Sequence, residues 1–319
     1  IADPKVILNS GGSDAIDVAC KLARRFWQLE GRQNKTLILS REFGYHGLHA
    51  YGTSIAGLSF NREGYGTESL IPETARVPTS DIDATAAMIA QIGPERIAAI
   101  VAEPVQGTGG VNPPPPGYFT ALNKLATDNG ILLIADEVIT GFGRTGSMFA
   151  TTRYAINPDI ITFAKGITSG YAPLGGILIA PRLWQPFFLD SEITPIFRHG
   201  TTYAGHATSC AVALKHLDLL DELDLLAHVL TLEGELTTAF VSLRGHELVD
   251  EVRVAGLLGA VTLSAHIDAN VIVDALIDRG FISRVLRGNS LQFSPPFTTE
   301  AADVHAFAAA VRDALDQVS

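Results

Sequence analysis

Between Ile131 and Lys165 the sequence twice runs an apolar segment into one ionisable side chain, an acid first and an amine second. In ILLIADEVITGFGRTG five apolar residues lead to Asp136, and in ITFAKGITSG a short strand-like run leads to Lys165. A carboxylate at the end of a buried strand needs a cationic partner, and a protonated pyridine nitrogen would be one. Desolvation lowers a lysine's pKa, which suits an amine that forms a Schiff base. Each residue also has an ordinary reading. Asp136 could be a helix cap or half of a core ion pair, and Lys165 a strand-end lysine whose stem carries its charge to water. Together the two suggest a Schiff-base cofactor site. Val138, on the same strand face as Asp136 by alternation, could pack against a flat ring or simply fill the core.

Other segments carry weaker signals. Gly141, Gly143 and Gly146 satisfy G-x-G-x-x-G directly after a strand, the spacing of a dinucleotide fingerprint. The residues that follow, SMFATTRYAINPD, lack helical periodicity, and no acid suited to a ribose stands about 20 residues on, so a nicotinamide or flavin site is disfavoured. In NSGGSDAID, Gly11, Gly12 and Ser13 occupy a strand-to-helix turn, where backbone N–H groups, a hydroxyl and a helix N-terminus would converge on a phosphate. A plain glycine turn with Ser13 as N-cap gives the same pattern. In EFGYHGLHAYG, Tyr45 offers an aromatic face with His46 beside it; His46 and His49 raise the question of a metal, but a third ligand is lacking. Glu103 ends the apolar strand of VAEPVQGTGG and Gln106 follows on a glycine-rich turn. Thr201 and Thr202, in RHGTTYAGHATS, could hold phosphate oxygens. Arg284, in FISRVLRGNSLQFSPPF, could clamp a substrate carboxylate.

The elements that must position these groups are strands alternating with helices. Apolar strands are predicted at Lys5–Asn9, Thr36–Leu39, Ile97–Ala102, Ile131–Ala135, Ile160–Ala164 and Gly176–Ala180. Helices are predicted from Ser13, over Ala84–Ile92 and over Tyr118–Asn129, which argues a mostly parallel sheet covered on both faces. After about Leu223 the pattern becomes a long helical run to Leu243, an extended Val252–Leu263, a helix over Asn270–Arg279, a strand at Ser290–Phe293 and a closing helix from Glu300 to Val318.

Composition narrows the function classes. The 319 residues are 47% hydrophobic, enough for a sizeable core, and 23 basic against 34 acidic side chains give a net charge of −11. That charge argues against nucleic acid and anionic membrane as partners. No apolar stretch approaches the roughly 20 residues of a membrane helix, and the start lacks a signal-peptide layout, so a soluble, cytoplasmic protein is expected. Cys20 and Cys210 are expected to be packing residues.

Seven segments, GGSDA, YHG, AEPVQG, IADEVITGFGRTG, FAKGITSGYAPLGG, HGTTYAGH and SPPF, stand in the order and at the approximate spacings of the class III aminotransferases. The chain resembles that family from Val6 onward. The resemblance implies an α/β, aspartate-aminotransferase-like (fold type I) large domain with a mostly parallel central sheet over residues 1–222, and a smaller C-terminal α/β domain over 223–319.

It also implies pyridoxal 5′-phosphate (PLP) as cofactor. Lys165 would be its Schiff-base lysine, and Asp136 would keep the ring nitrogen protonated so that the ring acts as an electron sink. Tyr45 and Val138 would sandwich the ring, with His46 next to Tyr45. Gly12 and Ser13 would cup the phosphate, and Thr202 would reach the phosphate of a neighbouring subunit, which makes the sites shared within a homodimer. Gln106 would lie near the phenolic oxygen with Glu103 beside it, and Arg284 would receive substrate carboxylates.

The implied activity is transfer of an amino group from an amine or ω-amino acid to pyruvate or a related keto acid. The Gly205–His206 pair favours the amine/pyruvate branch over those acting on ornithine, acetylornithine and GABA, while Ala207 stands where many relatives have proline. An aminomutase, which needs no keto acid, and a truncated non-catalytic homologue are the alternatives. Family members carry a further segment ahead of the position of Ile1, which is expected to be missing here. The amine donor, the acceptor and the stereopreference stay open at this level.

Overall fold

The computed structural model describes residues 1–66, 70–189 and 194–318. They divide into two compact units: residues 1–104, 114–142 and 149–218 form one, and residues 105–113, 143–148 and 219 onward form the other.

The first unit is built on strands β1 (Lys5–Asn9), β2 (Leu37–Arg41), β3 (Thr74–Val77), β4 (Ile97–Ala102), β5 (Leu132–Asp136), β6 (Ile160–Phe163) and β7 (Gly175–Ile179), in the spatial order β1-β7-β6-β5-β4-β2-β3. From β3 to β6 the pairing is parallel throughout. Only β7 is reversed, and β1 pairs antiparallel to it, so β1 again runs with the parallel set.

The helices are α1 (Gly12–Leu29), α2 (Ala50–Ile55), α3 (Ile82–Ile92), α4 (Tyr118–Asp128), α5 (Ala150–Arg153), α6 (Pro181–Trp184) and α7 (Ala207–Glu222), whose last residues pass into the second unit. Both sheet faces are buried, as continuous apolar strands require. Leu132 and Ile134 pack with Ile16, Ala19 and Ala23 of α1, whereas Leu133 between them packs with Phe119 and Leu122 of α4. Strand alternation therefore assigns each residue to one layer. The four-residue β3 carries no apolar run in its sequence, TARV, and was not predicted; nor was α7.

The second unit holds α8 (Leu225–Val241), α9 (Ala269–Asp278) and α10 (Ala301–Asp316) against β8 (Val249–Ala255), β9 (Leu258–Leu263), β10 (Val285–Leu286) and β11 (Ser290–Phe293). Its sheet is antiparallel, in the order β10-β11-β9-β8. The expected single extended run Val252–Leu263 is instead a hairpin. Gly256 turns it at φ 60°, where a Cβ would stand 2.4 Å from the carbonyl oxygen of Arg144. Leu223 and Asp224, the latter at φ 47°, separate α7 from α8. Among the described residues no helix is long and apolar enough to cross a membrane.

The centre of this second core is Phe307, 1% exposed, with ring centroids of Phe293, Phe281 and Phe240 at 4.4, 5.6 and 6.2 Å. Truncating such a ring leaves a cavity that its neighbours cannot fill. Phe307→Ala should therefore cost about 3–5 kcal/mol, read as a lowered urea midpoint by far-UV circular dichroism.

Candidate active site

The strand directions decide where chemistry can occur. The C-terminal ends of β1, β2, β4, β5 and β6 open on one edge of the sheet, the edge where ligands bind in such folds. Gly11–Ser13 follow β1, Tyr45 and His46 follow β2, Glu103 follows β4, Asp136 ends β5, and Lys165 lies two residues past β6.

Asp136 is 5% exposed, and both of its oxygens are engaged. Oδ1 accepts from the Val138 backbone N–H at 3.1 Å and from the Thr162 hydroxyl at 3.0 Å, and Oδ2 lies 2.7 Å from His46 Nδ1. His46 therefore braces the carboxylate, a role the sequence did not reveal. Thr162, fully buried on β6, was missed; its signal was a hydroxyl in an otherwise apolar strand. Val138 lies beyond the end of β5, so strand alternation does not orient it. Its position follows from the turn, which brings its side chain against Gly12: a Cβ on Gly12 would sit 2.8 Å from Val138 Cγ1.

At the β1–α1 junction Ser13 is not the N-cap. The helix begins at Gly12, Gly11 takes the cap position, and no side chain caps the first turn. The Ser13 hydroxyl instead accepts from Leu48 N–H at 3.1 Å, which leaves its own O–H free to donate. Gly47, at φ 87°, passes so close that a Cβ there would be 2.4 Å from Ser13 Oγ. The YHG turn is thus packed directly on the start of α1. Uncapped N–H groups and the positive end of the helix dipole suit an anion at this point.

Tyr45 is half-buried, and its backbone N–H donates to the Glu103 carboxylate at 3.0 Å, which joins the ends of β2 and β4. His49 pairs with Asp14 at 3.3 Å. Lys165 opens a single 3-10 turn at φ 42°, and its side chain is exposed.

Thr202 lies in an exposed turn of the first unit. Gln106, fully buried and bridged to Asn112, and Arg284 both belong to the second unit. The three glycines of the dinucleotide pattern precede no helix that could bind a pyrophosphate; the first helix after them is the four-residue α5, starting at Ala150.

Glu137 is the other residue the sequence reading passed over. It is fully buried, and burial raises the pKa of its carboxyl. Its oxygens accept from the Thr140 hydroxyl and from the N–H groups of Ala150 and Thr151 at 3.0 and 2.6 Å. It thereby fixes the loop that leaves Asp136. Glu137→Ala would strand both backbone N–H groups in a dry setting and should cost about 2–3 kcal/mol, against a smaller loss for Glu137→Gln, measured by denaturant unfolding.

A flat ring with a phosphate at one end and a basic nitrogen at the other fits these groups. The uncapped α1 would take the phosphate, Asp136 the protonated nitrogen, and Lys165 the aldehyde carbon. Two buried polar atoms at this edge, Asn9 Nδ2 and His46 Nε2, have no hydrogen-bond partner, as expected where a polar ligand completes the site.

Comparison with known proteins agrees. The family model Aminotransferase class-III matches residues 1–315. The chain is 32% identical to the omega-amino acid–pyruvate aminotransferase of Pseudomonas putida, over 98% of this chain and 75% of that protein. It is 34% identical to the diaminobutyrate–2-oxoglutarate transaminase of Halomonas elongata, over 99% of this chain and 74% of that protein. Among solved structures, the PLP-bound amine transaminase of an uncultivated Pseudomonas species superposes with a TM-score of 0.92 at 34% identity, covering 99% of this chain and 77% of that one. The (S)-enantioselective omega-transaminase of Thermomicrobium roseum gives 0.91 at 34% identity, over 98% and 74%. The chain belongs to the class III aminotransferases, PLP-dependent transaminases of fold type I.

Proposed function

We propose that this transaminase moves an amino group from an amine or ω-amino acid to pyruvate or a related keto acid, with Lys165 as the amine that carries the cofactor. The observation that supports this most directly is the meeting, at the ends of adjacent strands β5 and β6, of a fully engaged carboxylate and a lysine. The relatives named for omega-amino acid–pyruvate and beta-alanine–pyruvate exchange favour pyruvate as acceptor.

When bound, the cofactor supplies an electron sink conjugated to the substrate's amine-bearing carbon. Asp136, whose oxygens are engaged by Val138, Thr162 and His46, would pair with the protonated ring nitrogen and keep the sink open. The Lys165 amine would hold the cofactor and, once freed, would serve as the base for the proton on the substrate's amine-bearing carbon. Tyr45 and Val138 bracket the ring. Gly12 and Ser13 hold the phosphate. Glu103 would serve the phenolic side of the ring.

Thr202 acts on the phosphate of a partner copy, so the working unit is a homodimer. Tyr171, Ile196 and Tyr203 of the first unit are 87, 57 and 67% exposed, large apolar side chains of the kind a second copy would cover. Arg284 receives the carboxylate of acid substrates.

Lys165→Ala should lower turnover of an amine with pyruvate by at least about 100-fold. Borohydride reduction of the PLP-loaded wild type should place the label on Lys165. Asp136→Asn should fold normally and turn over slowly. Full activity in Lys165→Ala, or label on another lysine, would sink the assignment; turnover that needs no keto acid would point to an aminomutase instead.

A further inference from the structure

Arg284 lies exposed just before β10 and, among the described residues, forms no ion pair. Its one protein partner is uncharged: Nε donates to Gln292 Oε1 at 2.5 Å. In a chain with 34 acidic and 23 basic side chains, a guanidinium held by a neutral amide still has its full charge to offer.

Gln292, on β11, is itself fixed from several sides. Its N–H donates to the Arg284 carbonyl at 3.0 Å, its carbonyl accepts from the Ser283 hydroxyl at 2.8 Å, and Nε2 donates to Ser294 Oγ at 3.2 Å. The Arg284 contact orients the amide, because a flipped amide would set N–H against the Arg284 N–H, and the Ser294 hydroxyl then accepts from Nε2. Arg284 and Gln292 line an open groove of about 650 Å³ with Phe281, Ile282, Ser294 and Asp303.

We propose that Gln292 is a positioning residue for substrate carboxylates. It holds Arg284 by the Nε edge through an uncharged bond, so both Nη groups stay available for a carboxylate. This rests on the reading of Arg284 as carboxylate receiver. The chemistry at position 292 has to be neutral and polar. An acid there would form a charge-assisted bond and compete with the substrate. An apolar residue would free the guanidinium to wander, and its ordering would then be charged to each binding event.

The test uses the PLP-loaded protein with 1-phenylethylamine, which has no carboxylate, and whichever of pyruvate or 2-oxoglutarate supports more turnover. In two-step transamination, kcat/KM for the donor reports only the first half-reaction and kcat/KM for the keto acid only the second. Gln292→Leu should lower the keto acid value roughly 3- to 10-fold, through KM, with the donor value unmoved. Gln292→Glu should lower it further, and the dissociation constant of propionate, followed by titration calorimetry, should rise in the same order.

Equal losses for donor and keto acid, or no loss for either, overturn the proposal in favour of a merely structural residue. Arg284→Ala separates the two levels. If it leaves the keto acid kcat/KM unchanged, the reading of Arg284 fails and this inference with it; if it lowers that value while the Gln292 variants do not, only the Gln292 role fails. Should the wild type turn over no amine, the propionate series decides alone, and unchanged affinity in Gln292→Glu refutes the proposal.

Discussion

A buried carboxylate must have both oxygens hydrogen-bonded, and meeting that demand at Asp136 organises the active edge of the first unit. One oxygen draws on Thr162 of β6 and on the turn after β5, and the other draws His46 in from the loop after β2. Three segments far apart in sequence are thereby locked to one acid. The Val138 turn that supplies one of these bonds also lays its side chain against Gly12, so one loop joins Asp136 to the start of α1. Glu137 then secures that loop through its bonds to Thr140, Ala150 and Thr151.

The sheet makes this possible by its directions. Reversal of β7 alone lets β1 run with the parallel strands while lying at the far edge, and so brings the Gly11–Ser13 turn to the same side as the ends of β2, β4, β5 and β6. The YHG turn closes onto α1 by the approach of Gly47 to Ser13, which any side chain at Gly47 would block. The helix N-terminus at Gly12, the Val138 turn and the Asp136 carboxylate thus share one frame, the kind of arrangement that polar preorganisation requires.

The second unit follows a different rule. Its antiparallel sheet is covered by helices around a cluster of aromatic rings, and its exposed loop presents Arg284 against a neutral amide. Asp136 of the first unit is buried and fully engaged, whereas Arg284 of the second is exposed and bonded only to a neutral amide.

The sequence by itself determined the strand-and-helix alternation, the acid at the end of one apolar run with the lysine past the end of another, the glycine–serine turn and the family. All of these rest on local pattern and motif order. It did not reveal β3, whose four residues carry no apolar run, and it gave Ser13 a capping role because a serine at a helix start satisfies that rule locally. Tertiary structure alone decided that Ser13 serves Leu48, that His46 and Thr162 hold Asp136, that Glu137 anchors the following loop and that Gln292 holds Arg284. The physical reason is common to all four. A hydrogen bond made by a side chain depends on which other segment lies within about 3 Å, and sequence spacing carries no record of that distance.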